Sequence, residues 1–304
     1  MATWYSGYNN YQKITFDINE ETKEHLFHLE LLDVSTSNAD NITDIFNMHL
    51  AEATGRVIEV LYSGGSDSEI ILIHCVRNNI PVRAITMRLL VNGCAINTHD
   101  LYYSEKFCRE NTVEHVIIDL HVDKFFTNGD HIPYLEPYKL ATPHVATHFW
   151  LFEQCSSFPI IGGDYTWPWH DKLILSPQRH PFACYSKFLA DNNIEGIGGM
   201  LNYSLESNMK FVKKHLEVYD KQIHDGKSLK IPKLKQDLFE ALGFGNLERR
   251  LRSYGWEGLK PDVFNIKLYS DDLIDRFGTT VSRITWNEKM ADVLGSAPGT
   301  NDKN

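Results

Sequence analysis

One hexapeptide constrains this chain more than anything else in it: Ser63-Gly64-Gly65-Ser66-Asp67-Ser68. It follows an apolar run, Val57-Ile58-Glu59-Val60-Leu61-Tyr62, with the character of a buried strand. It precedes Glu69-Ile70-Ile71-Leu72-Ile73-His74-Cys75-Val76, which has the spacing of an amphipathic helix. A glycine-rich turn from strand to helix leaves the N–H groups of the first helical turn at the positive end of the helix dipole. An α/β protein receives phosphate at such a place.

Each residue type in the turn has a physical job. Gly64 and Gly65 allow backbone angles and a close approach that a Cβ would block. Ser63, Ser66 and Ser68 carry hydroxyls that can donate to phosphate oxygens. Asp67 repels phosphate by itself, so a carboxylate there points to a Mg²⁺ between the two. Neither G-x-x-x-x-G-K-[ST] nor G-x-G-x-x-G occurs at this turn.

The alternation continues beyond the turn. Strands are expected over residues 57–62, 82–87, 113–118 and 159–162, with helices over 67–78, 100–110 and 143–155. A polar, aromatic stretch fills 127–140. This βαβαβ…αβ order predicts an α/β fold with a doubly wound, Rossmann-like parallel sheet and ligands at the carboxyl ends of its strands. Ahead of it, two strands (13–18 and 25–32) and a helix (41–53) form a short N-terminal β/α segment. Helices expected over 201–219 and 235–253 make the C-terminal region mainly helical. The expected division is therefore 1–54, 55–200 and 201–304.

Composition narrows the function classes. With 304 residues and a net charge of −10, the chain offers no broad cationic surface for nucleic acid. Lys210, Lys213, Lys214, Lys221, Lys227, Lys230, Lys233 and Lys235 form a mildly basic stretch, read first as a solvated helix face and loop. Nucleic acid is thus a possible partner but not the favoured one. The five cysteines, Cys75, Cys94, Cys108, Cys155 and Cys184, include no C-x-x-C, and read as free thiols of a reducing cytoplasm. No signal peptide or long apolar span points to a membrane. The oligomeric state is not legible.

The hexapeptide resembles the PP-loop, S-G-G-x-D-S, of the ATP pyrophosphatases, whose fold is adenine nucleotide alpha hydrolase-like. Its members include asparagine, GMP, NAD and argininosuccinate synthetases and several tRNA-modifying enzymes. The resemblance implies that residues 63–68 grip the β,γ-pyrophosphate of ATP while the α-phosphate is attacked. It implies an adenylated substrate and released pyrophosphate, with ATP and Mg²⁺ required. A second turn, Gly162-Gly163-Asp164, ends the strand over 159–162, and Thr142-Pro143 opens the helix before it. Both resemble the asparagine synthetase domain, where the matching aspartate helps hold Mg²⁺; Asp67 and Asp164 are then the metal ligands. Tyr165 stands where that family has a glutamate. By family position, the adenine would lie against the end of the second strand, at Thr86 and Met87, read by backbone groups and covered by Met87.

The expected chemistry is amide formation on a carboxylate or carbonyl substrate. The chain begins Met1-Ala2-Thr3, with alanine where a glutaminase domain carries its nucleophilic cysteine, so ammonia or an amine is the expected nucleophile. The alternatives are a PP-loop enzyme of tRNA or nucleotide modification, including sulfur transfer, and a nucleotide-binding protein that has lost turnover. Lys172, just after the second turn, is the candidate for neutralising charge on the phosphates, with Asp67 as the second catalytic candidate; Lys187 is a further lysine of the same kind. Trp167-Pro168-Trp169 could wall the site. His144 and His148 share a helix face, but a third metal ligand is not apparent.

Overall fold

A computed structural model describes residues 11–19, 21, 24–32, 41–140, 142–163, 167–169, 172–174, 182–224, 231–245, 247–248, 273, 276 and 279–285. Strands β1 (Gln12–Asn19) and β2 (Glu24–Leu31) pair antiparallel. Helix α1 (Ile42–Leu50) follows, begun by Asn41, whose side chain accepts from the Asp44 N–H. It runs into a 3-10 turn, and Thr54 and Gly55 leave that turn at φ 44° and 77°. The helix expected to Ala53 thus tightens in its last turn and stops at the predicted glycine.

The alternating region follows in the expected order: β3 (Ile58–Leu61), α2 (Ser66–Arg77), β4 (Val82–Val91), β5 (Cys94–Ala95), α3 (Thr98–Glu110) and β6 (Glu114–His121). Short helices α4 (Val122–Thr127) and α5 (Ile132–Leu135) follow, α4 ending where the aromatic stretch begins and α5 lying within it. Next come α6 (Pro143–Glu153) and β7 (Phe158–Ile161). Beyond lie a two-stranded ribbon, β8 (Trp167–Trp169) with β9 (Lys172–Ile174), and helices α7 (Phe182–Asp191), α8 (Leu205–His224) and α9 (Ile231–Ala241). Finally β10 (Thr279–Thr285) pairs parallel with β2, so the C-terminal region adds a strand to the sheet of the N-terminal segment.

The central sheet is parallel in the order β6-β4-β3-β7, with β5 antiparallel beside the far end of β4. The first crossovers, through α2 and α3, step outward from β3 to β4 and β6. The next returns to the other side of β3 and places β7 there. Strand order therefore reverses between β3 and β7, the switch point where open α/β sheets take ligands at their carboxyl ends. This is the doubly wound layout that the sequence predicts.

Period-two alternation along β3 sorts its residues onto two faces. Ile58, Val60 and Tyr62 pack with Ile70 and Ile71 of α2, Phe46 of α1, Phe211 of α8 and Phe239 of α9. Leu61, with Ile85 and Leu89 of β4, packs with Phe125 of α4, Phe149 of α6 and Phe188 of α7. The first core crosses the expected boundaries near residues 54 and 200. In the second, Phe149 and Phe188 stack at 4.3 Å between ring centroids. Truncating Phe149 to alanine leaves a cavity between α6 and α7; thermal or urea unfolding is expected to show a loss of about 3–5 kcal/mol.

Two buried polar features stand apart from the carboxyl edge. Glu59 on β3 is held by Arg83 Nε at 2.8 Å and by the N–H groups of Ser156 and Ser157 at 2.9 and 2.7 Å. His49, fully buried on α1, packs edge-on to Tyr11 and Tyr203, and neither ring nitrogen has a hydrogen-bond partner among the described residues. Burial pushes the His49 imidazole down to about 3. The unfolded chain binds its proton below the ordinary value near 6.5, while the fold holds it neutral to about 3, so stability falls as pH drops through that window. Burial raises the neighbouring Glu52 carboxyl, which acts with the opposite sign, costing stability as pH rises. Urea midpoints measured from pH 7 to pH 4 are expected to fall less in His49→Phe than in the parent chain; equal slopes would contradict this assignment.

Candidate functional site

Strand β3 ends at Leu61 and α2 begins at Ser66, with Gly65 as its N-cap in extended conformation (φ −80°, ψ 155°) and no side-chain capping bond. A glycine cap adds no side chain of its own over the first turn of α2, which leaves room for an anion there. Asp67 and Glu69 both lie in that turn. Ser63 is exposed, Ser66 and Asp67 are half-buried, and Ser68 is buried. Glu69 turns inward, where it accepts from the Tyr62 hydroxyl at 2.5 Å.

Two glycines set the shape of the turn. Gly64 has φ +73°, and a Cβ built on it would stand 2.7 Å from the Asp100 carbonyl oxygen and 3.2 Å from Tyr103 Cβ. The turn is thus pressed against the first turns of α3, so the N-terminal ends of α2 and α3 meet at the same place. The N-cap of α3 is Asn97, so the helix starts two residues ahead of the expected 100–110 and Asp100 lies inside its first turn. Gly162, the residue after β7, would carry a Cβ 2.9 Å from both Asp67 C and Ser68 N. Because Leu61 and Ile161 are register partners on adjacent parallel strands, both glycine turns leave the sheet side by side. A third glycine stretch, 196–199, runs along the far side of β7, and the Gly162 carbonyl accepts from Leu201 N at 3.1 Å.

The cation at this turn comes from α9. Lys235 Nζ lies 2.6 Å from Asp67 Oδ2. The solvated-face reading of the lysine stretch therefore does not hold for Lys235, whose ammonium is drawn onto the turn. Sequence reasoning could not find it, because 168 residues separate the two partners. Lys172 lies in the backbone of β9, and its side chain falls outside the described residues, as does Asp164. Lys187 is engaged elsewhere, with Asp191 at 2.6 Å.

Thr86 and Met87 do not sit at a strand end. Strand β4 continues to Val91 and turns back into β5 through Asn92 and Gly93, at φ 49° and 77°. An Asn-Gly pair with both φ positive is the tight hairpin turn, a signal present in the sequence and passed over by the alternating reading. The buried Thr86 hydroxyl donates to the Tyr62 carbonyl at 2.7 Å and lies 2.8 Å from His115 Nε2. It ties the end of β3 to β4. The Met87 carbonyl accepts from Asn97 Nδ2 at 2.8 Å.

His144 and His148 lie with ring centroids 6.0 Å apart, and His148 Nδ1 is 2.6 Å from the Tyr185 hydroxyl. No group of three metal-ligating side chains occurs among the described residues. Among them, too, no helix is long and apolar enough to cross a membrane. Cys75, Cys108 and Cys184 are buried and Cys94 is exposed.

No protein-family model and no curated protein matches the chain. Distant likenesses occur among solved structures. A predicted subunit of tRNA methyltransferase from Methanocaldococcus jannaschii is 14% identical over 62% of this chain and 88% of its own, with a TM-score of 0.31. The U34-tRNA thiolase NcsA from Methanococcus maripaludis is 17% identical over 78% and 74%, with a TM-score of 0.31. The NH3-dependent NAD synthetase from Campylobacter jejuni is 14% identical over 69% and 96%, with a TM-score of 0.28.

Proposed function

We propose that this chain is an ATP pyrophosphatase of the PP-loop type, which adenylates a carboxylate or carbonyl oxygen and then yields the adenylate to ammonia or an amine. One observation carries the reading: a glycine turn matching S-G-G-x-D-S stands at the sheet's switch point, closed by Gly162 on one side and Lys235 on the other.

The turn fits a polyphosphate. The first-turn N–H groups of α2 and the hydroxyls of Ser63 and Ser66 would donate to its oxygens, and Gly64 and Gly162 let α3 and the end of β7 pack closely against the turn that presents them. Asp67 would hold Mg²⁺, which supplies charge neutralisation on the phosphates. Asp164, two residues beyond Gly162, is the proposed second ligand. The substrate oxygen attacks the α-phosphorus, and the bond to the bridging oxygen breaks. Lys235 is placed to follow the charge as it develops on the departing pyrophosphate, exchanging its partner Asp67 for phosphate oxygen. Lys172 keeps the auxiliary role the sequence suggests. Catalysis of this kind is positioning plus electrostatics.

Sulfur transfer is the alternative. A sulfur-carrying cysteine works as an accessible thiolate; burial pushes the thiols of Cys75 and Cys108 up to about 12, and Cys94 is the exposed cysteine among the described residues. Exchange of labelled pyrophosphate into ATP, run over a panel of amino acids and with tRNA, tests the proposal. Exchange with a free carboxylate substrate supports amide formation, and exchange only with tRNA moves the chain to the modifying enzymes. Binding of ATP without exchange under any condition would mark a protein without turnover.

A further inference from the structure

Beyond Ile85, the side of β4 that pairs with β3 loses its neighbour, since β3 ends at Leu61. The other side stays covered by β6 as far as Leu90. The Leu89 carbonyl accepts from the Ile96 N–H at 2.9 Å, and two further uncovered groups are met by one side chain. Asn97 Nδ2 donates to the Met87 carbonyl at 2.8 Å, and the Leu89 N–H donates to Asn97 Oδ1 at 2.9 Å. A single carboxamide thus takes an acceptor and a donor two residues apart, as one peptide unit of a parallel neighbour would. Asn97 is buried. It is also the N-cap of α3, with a residue type that favours capping, yet its side chain makes no capping bond. An asparagine at an N-cap ordinarily bonds the first turn of the helix it begins.

The position matters because that same first turn of α3 packs against Gly64. A flat group offering one donor beside one acceptor on this stretch of β4 would lie directly next to the phosphate cradle. Adenine presents such a pair on its Watson–Crick edge, N6–H beside N1. We infer that the Asn97 carboxamide holds the place of the nucleobase, and that it swings from β4 to the α3 N-terminus when an adenine nucleotide binds. This rests on the reading of residues 63–68 as a polyphosphate cradle. It makes Asn97 a gating residue for base recognition, remote from the reacting atoms.

The test compares ATP with inorganic tripolyphosphate, which has no base, on the full chain with Mg²⁺ by isothermal titration. Two variants are used: Asn97→Ala, which removes the amide, and Asn97→Ser, which is too short to bridge β4 but remains a good helix cap. Without the two bonds to be broken, ATP is expected to bind about tenfold more tightly to both variants than to the parent. Tripolyphosphate should bind parent and variants alike. Unchanged or weaker ATP binding, with tripolyphosphate still bound, would overturn the inference and leave Asn97 a brace for the β4–β5 hairpin. Failure of tripolyphosphate to bind any of the three would overturn the cradle reading and this inference together.

Discussion

Replacing Gly162 with alanine is expected to lower the proposed pyrophosphate-releasing turnover by about a hundredfold while the far-ultraviolet circular dichroism stays unchanged. The cause is the contact between the two turns. The added methyl would sit 2.9 Å from Asp67 C and Ser68 N and 3.0 Å from Asp67 O. These are backbone atoms of a helical turn that cannot rotate aside, so the first turn of α2 must shift away from β7. The N–H groups and the Asp67 carboxylate shift with it, out of register with the phosphates. Overpacking of this kind costs about 1–3 kcal/mol. Gly55→Ala is the matched control. It strains a residue at φ +77° with nothing within 4 Å, so it should lower the melting temperature without touching turnover. Parent-like turnover in Gly162→Ala would show that the closeness of the turns has no part in the chemistry.

The second large effect is expected at the Lys235–Asp67 pair. Asp67→Asn should reduce ATP turnover by about 10²–10³-fold, and Lys235→Met by about 10²-fold. Lys235→Arg should recover part of the loss, since charge is kept while reach and shape change. The two single losses should not multiply in the double variant, because each change already disables the same 2.6 Å pair. Stability should move little. Asp67 lies in the first turn of α2, where the helix dipole favours a carboxylate even without Lys235. Full multiplication of the two effects would mean that Asp67 and Lys235 act independently, and the 2.6 Å pair itself would have no part in turnover.

The outcomes divide along a physical line. Features encoded over a few adjacent residues were readable. Apolar runs at period two or 3.6 located β3, α2, α3, β6, α6 and β7 to within a few residues. The glycines of residues 63–68 pointed to a turn that tolerates no Cβ, and Gly64 meets Asp100 at that turn. Strand β4 runs four residues past the expected end at Met87, because Asn92-Gly93 is a stronger punctuator than the apolar-to-polar change after Met87. The helix expected to run to Ser253 ends as α9 at Ala241, and Gly243, at φ +91°, stands just beyond it.

By itself, then, the amino-acid order determined a doubly wound parallel sheet with a tight glycine turn between its first strand and helix, because backbone period and glycine freedom are local properties. Only the tertiary structure decided which distant groups meet that turn: Gly162 through the β3–β7 register and Lys235 through the packing of α9. Thr86 reaches Tyr62 across 24 positions and Lys235 reaches Asp67 across 168, and no spacing rule spans such separations. These groups are brought together by burial of two cores on opposite faces of one sheet, a collective outcome that no single segment carries.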